Sequence, residues 1–236
     1  MRPARAWRTL TSSPSEVTSA GMSAPATNAA LDRPKRRLIT EAAARLFLRE
    51  GYGAVSMDAV ARESGVSKAT LYAHFTGKDR LFATIVAERC ARLQAEADAD
   101  PAWHGHDVRD ALTAMGRHWL RFLMAPETLA IFRVVIGETP RFPELAAAFY
   151  DAGPRAMKEW LTAWVAEASA AGRLSVSDPL VAAEQFLALL RTGVFFRCSL
   201  GVAEAPTEAE RNKVVDNAVE TFLRAFGPHG TPSASG

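Results

Sequence analysis

Apolar residues recur every three to four positions along most of the chain, and no run alternates with period two. The first clear stripe runs from about Arg33 to Glu50. Ile39, Ala42, Ala43, Leu46 and Phe47 fall at i, i+3, i+4, i+7 and i+8, and Gly51 and Gly53 end the helix. Ser56 then caps a short helix holding Met57, Val60 and Ala61, which Gly65 stops. Ser67 opens a third short helix through about Phe75, and Gly77 breaks it. A long helix follows from Lys78 to near Asp100-Pro101, with Leu81, Phe82, Ile85, Val86 and Leu93 on one side. Further helices are predicted at 107–124, 127–137, 143–171, 178–200 and 207–226, separated by Pro126, Pro140, Pro143, Gly172, Pro179 and Pro206. Gly153-Pro154 is expected to kink or split the helix at 143–171.

The fold class is therefore all-α. Two short helices joined by a Gly-containing turn at 56–75 have the plan of a helix-turn-helix. Ala61 allows the helices to approach closely, Gly65 supplies the positive φ of the turn, and Leu71 anchors the second helix with Val66 and Val60 behind it. The second helix then offers Lys68, Ala69, Thr70, Tyr72 and His74 outward. A helix entering a major groove combines phosphate contacts with donors or small apolar groups at base edges. Lys68 suits a phosphate or a guanine edge, Ala69 a thymine methyl, and Thr70 either. Tyr72 and His74 suit backbone phosphates. Lys78 at the next helix start, with its backbone N–H groups, is expected to form an anion site. Arg33, Lys35, Arg36 and Arg37 form a basic cluster placed to neutralise phosphates.

The segment GVSKATLYAHFTGKDRLF, residues 65–82, resembles the recognition helix and following turn of TetR-family (tetracycline-repressor-like) regulators. The pattern Gly-Val-Ser-x-x-Thr-Leu-Tyr-x-His-Phe-x-x-Lys-x-x-Leu is matched at each fixed position. The Ala-Ala-x-x-Leu-Phe core of the first helix and Gly51-Tyr52 match as well, so the resemblance is specific over residues 33–82. It implies an N-terminal three-helix DNA-binding domain and a larger helical domain for effector binding and dimerisation. It implies a homodimer on a palindromic double-stranded DNA operator, usually repressing and usually released by a small molecule. By that resemblance Thr70, Tyr72, His74 and Lys78 touch mostly the DNA backbone, while Lys68 and Ala69 face bases. The family often carries Thr where this chain has Met57, and Ser56 is the substitute hydroxyl.

Charge sharpens this division. The formal net charge is only +2, yet residues 32–90 carry eleven basic against seven acidic side chains, and residues 91–236 fourteen against eighteen. The domains are read as a tail at 1–31, a DNA-binding domain at 32–78, an effector and dimerisation domain at 79–226, and a second tail at 227–236. Both tails are Ser- and Pro-containing and read as disordered. Met22 is an alternative start. The Arg- and Ser-rich front also fits a transit peptide, against the cytoplasmic location that the regulator reading implies.

Other chemistry is thin. Cys90 and Cys198 lack metal-ligand spacing and read as small buried side chains. His104-Gly105-His106 reads as a loop, not a metal site. No stretch reaches the ~18 uncharged apolar residues of a membrane span. No nucleophile elbow, phosphate loop or zinc motif is present, and Glu138, Glu144 and Asp151 read as surface charge. Neither enzyme activity nor a cofactor is expected. The alternative is an all-helical ligand-binding protein or enzyme with an accessory helix-turn-helix. Trp119, Phe122, Phe132, Trp160 and Trp164 are the candidates to line a pocket for a small, apolar or aromatic effector. The helices at 178–200 and 207–226 are apolar on more than one side, as shared dimer helices are.

Overall fold

The computed structural model describes residues 27–104 and 107–228. The N-terminal tail, the last eight residues and most of the His104-Gly105-His106 loop lie outside them. The helices in chain order are α1 (Thr27–Glu50), α2 (Met57–Ser64), α3 (Lys68–His74), α4 (Lys78–Asp98), α5 (Val108–Leu123), α6 (Pro126–Glu138), α7 (Pro143–Tyr150), α8 (Ala156–Ala170), α9 (Pro179–Leu190), α10 (Gly193–Ser199) and α11 (Glu208–Phe226). No strand occurs among the described residues, so the all-α class holds. No single helix among them is long and apolar enough to cross a membrane.

Three boundaries differ from the expected ones. Helix α1 starts at Thr27 and carries Pro34 inside it. Proline removes one rung of the hydrogen-bond ladder but does not end the helix. The helix expected at 143–171 is split by a π-helical turn at Asp151–Arg155 around Gly153-Pro154. The helix expected at 178–200 is two helices. Arg191 (φ −91°, ψ 52°) and Thr192 (φ −73°, ψ −170°) leave the helical region, and the axis bends by 62°. Periodicity continues across that break, and Thr192-Gly193 was its only local mark.

The chain divides into two compact units: residues up to Glu88 with Val134–Ala152, and Arg89–Arg133 with the residues from Gly153 onward. The sequence-based boundary at 78/79 assigned α4 beyond Lys78 and the segment 134–152 to the larger domain. By packing, the first half of α4 and that segment go with the N-terminal unit. The first unit is built on the stripe of α1, where Ile39, Ala42, Ala43, Leu46 and Phe47 are all buried. Phe47, Tyr52 and Phe82 form an aromatic cluster with ring centroids 5.4 to 5.8 Å apart.

In the second unit α8 packs on α9, and α11 packs on both α5 and α9. Phe186 of α9 meets Phe222 of α11 edge-on at 5.2 Å, and both are buried. Gly116 permits the close approach of α5 and α11, since a Cβ there would lie 2.8 Å from Val215 Cγ1. The starts of these helices are locally encoded. Asp107 and Asp178 each accept two backbone N–H groups, and Thr207 forms a reciprocal capping box with Glu210. Cys90 and Cys198 are buried, and burial pushes the Cys90 thiol up to about 11.

Candidate nucleic-acid interface

Two short helices of eight and seven residues need strong end signals, because each is near the minimum helical length. Both have them. Ser56 Oγ accepts the Ala59 N–H at 3.1 Å and starts α2. Gly65 ends it in the left-handed region at φ 70°, with Gly65 N–H donating to Arg62 O and Val66 N–H to Ala61 O. This paired arrangement satisfies the last carbonyls of α2 and turns the chain sharply. Ser67 Oγ then accepts the Thr70 N–H at 3.1 Å and lies 2.9 Å from Thr70 Oγ1. Leu71 is fully buried, as are Val60 and Ala61, so α3 is fixed on α2 by its inner face. Val66 is only half-buried.

The outer face of α3 follows from that anchoring. Lys68, Ala69, Tyr72 and Ala73 are exposed, while Thr70 and His74 are half-buried. Tyr72 is 51% exposed, so its ring and hydroxyl are open to a partner. Lys68 Nζ donates to Asp58 Oδ2 at 2.6 Å, and both side chains are largely solvated. Such a pair is worth at most about 1 kcal/mol, so a phosphate can displace Asp58. The pairing of Asp58 with Lys68, ten residues on, comes from the helix-turn-helix crossing. His74 lies beside Phe75, with ring centroids 6.3 Å apart.

Two of the expected contacts are otherwise engaged. Arg36 Nε donates to Glu88 at 3.3 Å, and its guanidinium sits 5.5 Å from the Phe75 ring centre. Its side chain remains about half exposed. Lys78 is engaged more fully. Its ammonium donates to Tyr52 O at 2.6 Å and Val55 O at 3.0 Å, with Gly53 O at 3.5 Å. It also lies 4.3 Å from the centre of the Tyr52 ring. Three carbonyls take three ammonium protons, so this side chain ties the 51–55 loop to the start of α4 instead of reaching outward. Burial lowers the Lys78 pKa, against the pull of Glu138 and Glu144. Burial likewise pushes the Tyr52 hydroxyl up to about 12.

Glu138 belongs to the same clamp. Its Oε1 accepts the Gly53 N–H at 3.1 Å, and Phe142 meets the Tyr52 ring edge-on at 5.3 Å. The sequence reading took Glu138 for surface charge. The contact spans 85 residues, and no local pattern announces it.

The five aromatics expected in an effector pocket divide as well. Trp119, Trp160 and Trp164 are buried. Phe122 stacks on Trp119 at 5.7 Å and lines a cavity, and Phe132 meets Phe195 edge-on at 5.4 Å. Phe122 lies at the wall of the cavity between α4 and α5.

Residues 39–85 match the family model described as bacterial regulatory proteins, tetR family. Residues 110–228 match the C-terminal domain of AefR-like transcriptional repressors. The chain belongs to the TetR family of transcriptional regulators. Among solved TetR-like structures, the flavonoid-responsive regulator FrrA is 36% identical, covers 84% of this chain and 100% of its own, and has a TM-score of 0.70. A TetR family transcriptional regulator from Pseudomonas syringae pv. tomato is 32% identical over 84% of this chain and 98% of its own, at a TM-score of 0.64. An uncharacterized HTH-type transcriptional regulator, YhgD, from Bacillus subtilis is 36% identical over 84 residues. That match covers 34% of this chain and 44% of the relative, less than half its length.

Proposed function

We propose that this TetR-family regulator is a repressor that binds a palindromic DNA operator as a homodimer and is released by a small effector. The observation that carries the proposal is the outer face of α3. Its anchor, Leu71, is buried on α2, and Lys68, Ala69 and Tyr72 are left uncovered on the opposite side. In this reading Lys68 and Ala69 meet base edges, while Thr70, Tyr72, His74, Ser56 and Arg36 hold phosphates. Lys78 contributes its backbone N–H at the start of α4, and its ammonium holds the loop before α2.

Dimerisation through α9, α10 and α11 (the regions 178–200 and 207–226) is supported by apolar side chains that the single chain leaves uncovered. Phe196, Leu200 and Val202 are 64%, 62% and 74% exposed, and Leu180 and Val181 are each 43% exposed. Exposed apolar side chains on α9, on α10 and just after it support that reading. An apolar or aromatic effector accords with the aromatic content of the larger unit, where Trp119, Phe122, Phe132, Trp160 and Trp164 remain the candidate lining. It accords too with the flavonoid response named for FrrA, similar over its whole length. The regulator would work in the cytoplasm, beside its DNA.

Nuclease footprinting of the full chain on the DNA upstream of its own coding region tests the proposal. The expected result is a protected palindrome with half-sites about one helical turn apart, lost steeply as salt rises. A folded dimer that protects no site at low salt would overturn it.

A further inference from the structure

A cavity of about 270 Å³ lies between α4 and α5 in the larger unit. Its polar wall is Arg89, Arg92 and Glu96 of α4 with His118 and Arg121 of α5, and Phe122 supplies the apolar wall together with Leu93. Three guanidinium groups thus face one carboxylate. That carboxylate is already engaged, since Arg121 donates to Glu96 at 3.4 Å.

Arg121 also donates to His118 Nδ1 at 2.7 Å, and His118 Nε2 lies 3.1 Å from Asp100 Oδ2. The guanidinium has only N–H donors, so Nδ1 is the acceptor in that contact. These contacts fix Arg121 at the mouth and engage neither Arg89, whose ion-pair partner is Glu127, nor Arg92. Arg92 is exposed and makes no ion pair among the described residues. Arg89 is only 23% exposed, reaches Glu127 no closer than 3.8 Å and Thr128 no closer than 3.5 Å, and its Nε is buried without a partner. A buried guanidinium N–H left unpaired is costly unless an acceptor comes from outside the chain.

The apolar wall adds the second half of the recognition. Phe122 stacks on Trp119 with the planes 21° apart, so the wall is backed by a second flat ring. The Trp119 indole N–H is the other buried side-chain donor without a partner among the described residues. A neighbouring cavity of about 430 Å³ shares His118 and Arg121 but faces Asp100 and Asp110 against Arg117, so its charges balance. The first of these two cavities combines an excess of guanidinium groups over carboxylates in its lining with an aromatic wall.

We propose that the α4–α5 cavity is a binding site for a small aromatic carboxylate, its anion held by Arg89 and Arg92 and its ring laid against Phe122. Bidentate guanidinium–carboxylate pairing is the strong form of charge-assisted hydrogen bond. Its volume of about 270 Å³ suits a one- or two-ring acid. The site stands apart from DNA binding, so its test uses no DNA.

Isothermal titration of the full chain with 2-naphthoate tests it. Saturable binding with one site per chain is expected. 2-Naphthamide has the same rings without the charge and is expected to bind at least about tenfold more weakly, equivalent to ~1.4 kcal/mol. Arg92→Gln, an exposed substitution, is expected to weaken naphthoate binding by roughly fivefold or more, and Arg89→Gln by roughly tenfold or more. Arg117→Gln, on the neighbouring cavity alone, is expected to leave it unchanged. No saturable heat, equal affinity for naphthoate and naphthamide, or wild-type affinity in both Arg89→Gln and Arg92→Gln would overturn the proposal. So would inorganic phosphate binding as tightly as naphthoate, because the aromatic wall would then contribute nothing.

Discussion

In the N-terminal unit, single residues meet single demands. Gly65 takes φ 70°, Ser56 and Ser67 each cap one short helix, and Leu71 alone anchors α3. In the larger unit the demands are shared. Leu161, Val165, Phe186, Leu190, Val219 and Phe222 are all buried, and any well-packed set of similar volume would fill the same space. A reading head has to present fixed side chains to a fixed groove, so its positions are specified one by one. A helical body has to close a core, and many sequences can do that.

The largest effect that sharpens this contrast is expected from Leu71→Ala. Removing the single anchor of a seven-residue helix should cost about 2–5 kcal/mol, read as a lower denaturation midpoint. A change below ~1 kcal/mol would show that α3 is held by something else. Gly65→Ala forces a Cβ into the left-handed region, although nothing lies within 4 Å of it. The cost is backbone strain alone, about 1–2 kcal/mol by the same denaturation. In the larger unit, Leu161→Met keeps volume at a fully buried site and should cost less than about 1.5 kcal/mol. A loss as large as that of Leu71→Ala would break the comparison. Asp58→Asn should be smallest in stability, within about 1 kcal/mol, because its pair with Lys68 is solvated. It also frees Lys68, so general DNA affinity in an anisotropy titration should rise. A fall would mean that Asp58 positions Lys68 productively.

The same contrast decides what was legible in the sequence. The helix-turn-helix could be read because its requirements are local: Ser56, Gly65, Ser67 and Leu71 lie within sixteen residues. The helices of the larger unit could be located by their period and capping residues. The break at Arg191–Thr192 could not, because apolar spacing runs through it. The internal contacts of Lys78 were hidden for a related reason. Its position in the motif is local, but its partners are loop carbonyls 23 to 26 residues earlier. Glu138 and Phe142 complete that clamp from still farther away. Likewise, periodicity marks aromatic residues as inward-facing but does not separate core from cavity wall. Of the five proposed for a pocket, three are buried and Phe122 reaches a cavity of the described residues.

The central claim is that the outer face of α3 is spent on DNA while the Lys78 ammonium is spent on the fold. Paired thermal melts and operator titrations of Tyr72→Ala and Lys78→Met test it most directly, with the titrations run where both variants are folded. Tyr72→Ala should melt within about 0.5 kcal/mol of the parent, since the side chain is exposed, yet lose roughly tenfold or more in operator affinity. Lys78→Met should lose about 1–3 kcal/mol of stability, because the Tyr52 and Val55 carbonyls lose their donor, and should bind operator with an unchanged salt slope. The opposite pattern, a stable Lys78→Met with a reduced salt slope beside a Tyr72→Ala that binds normally, would contradict the account.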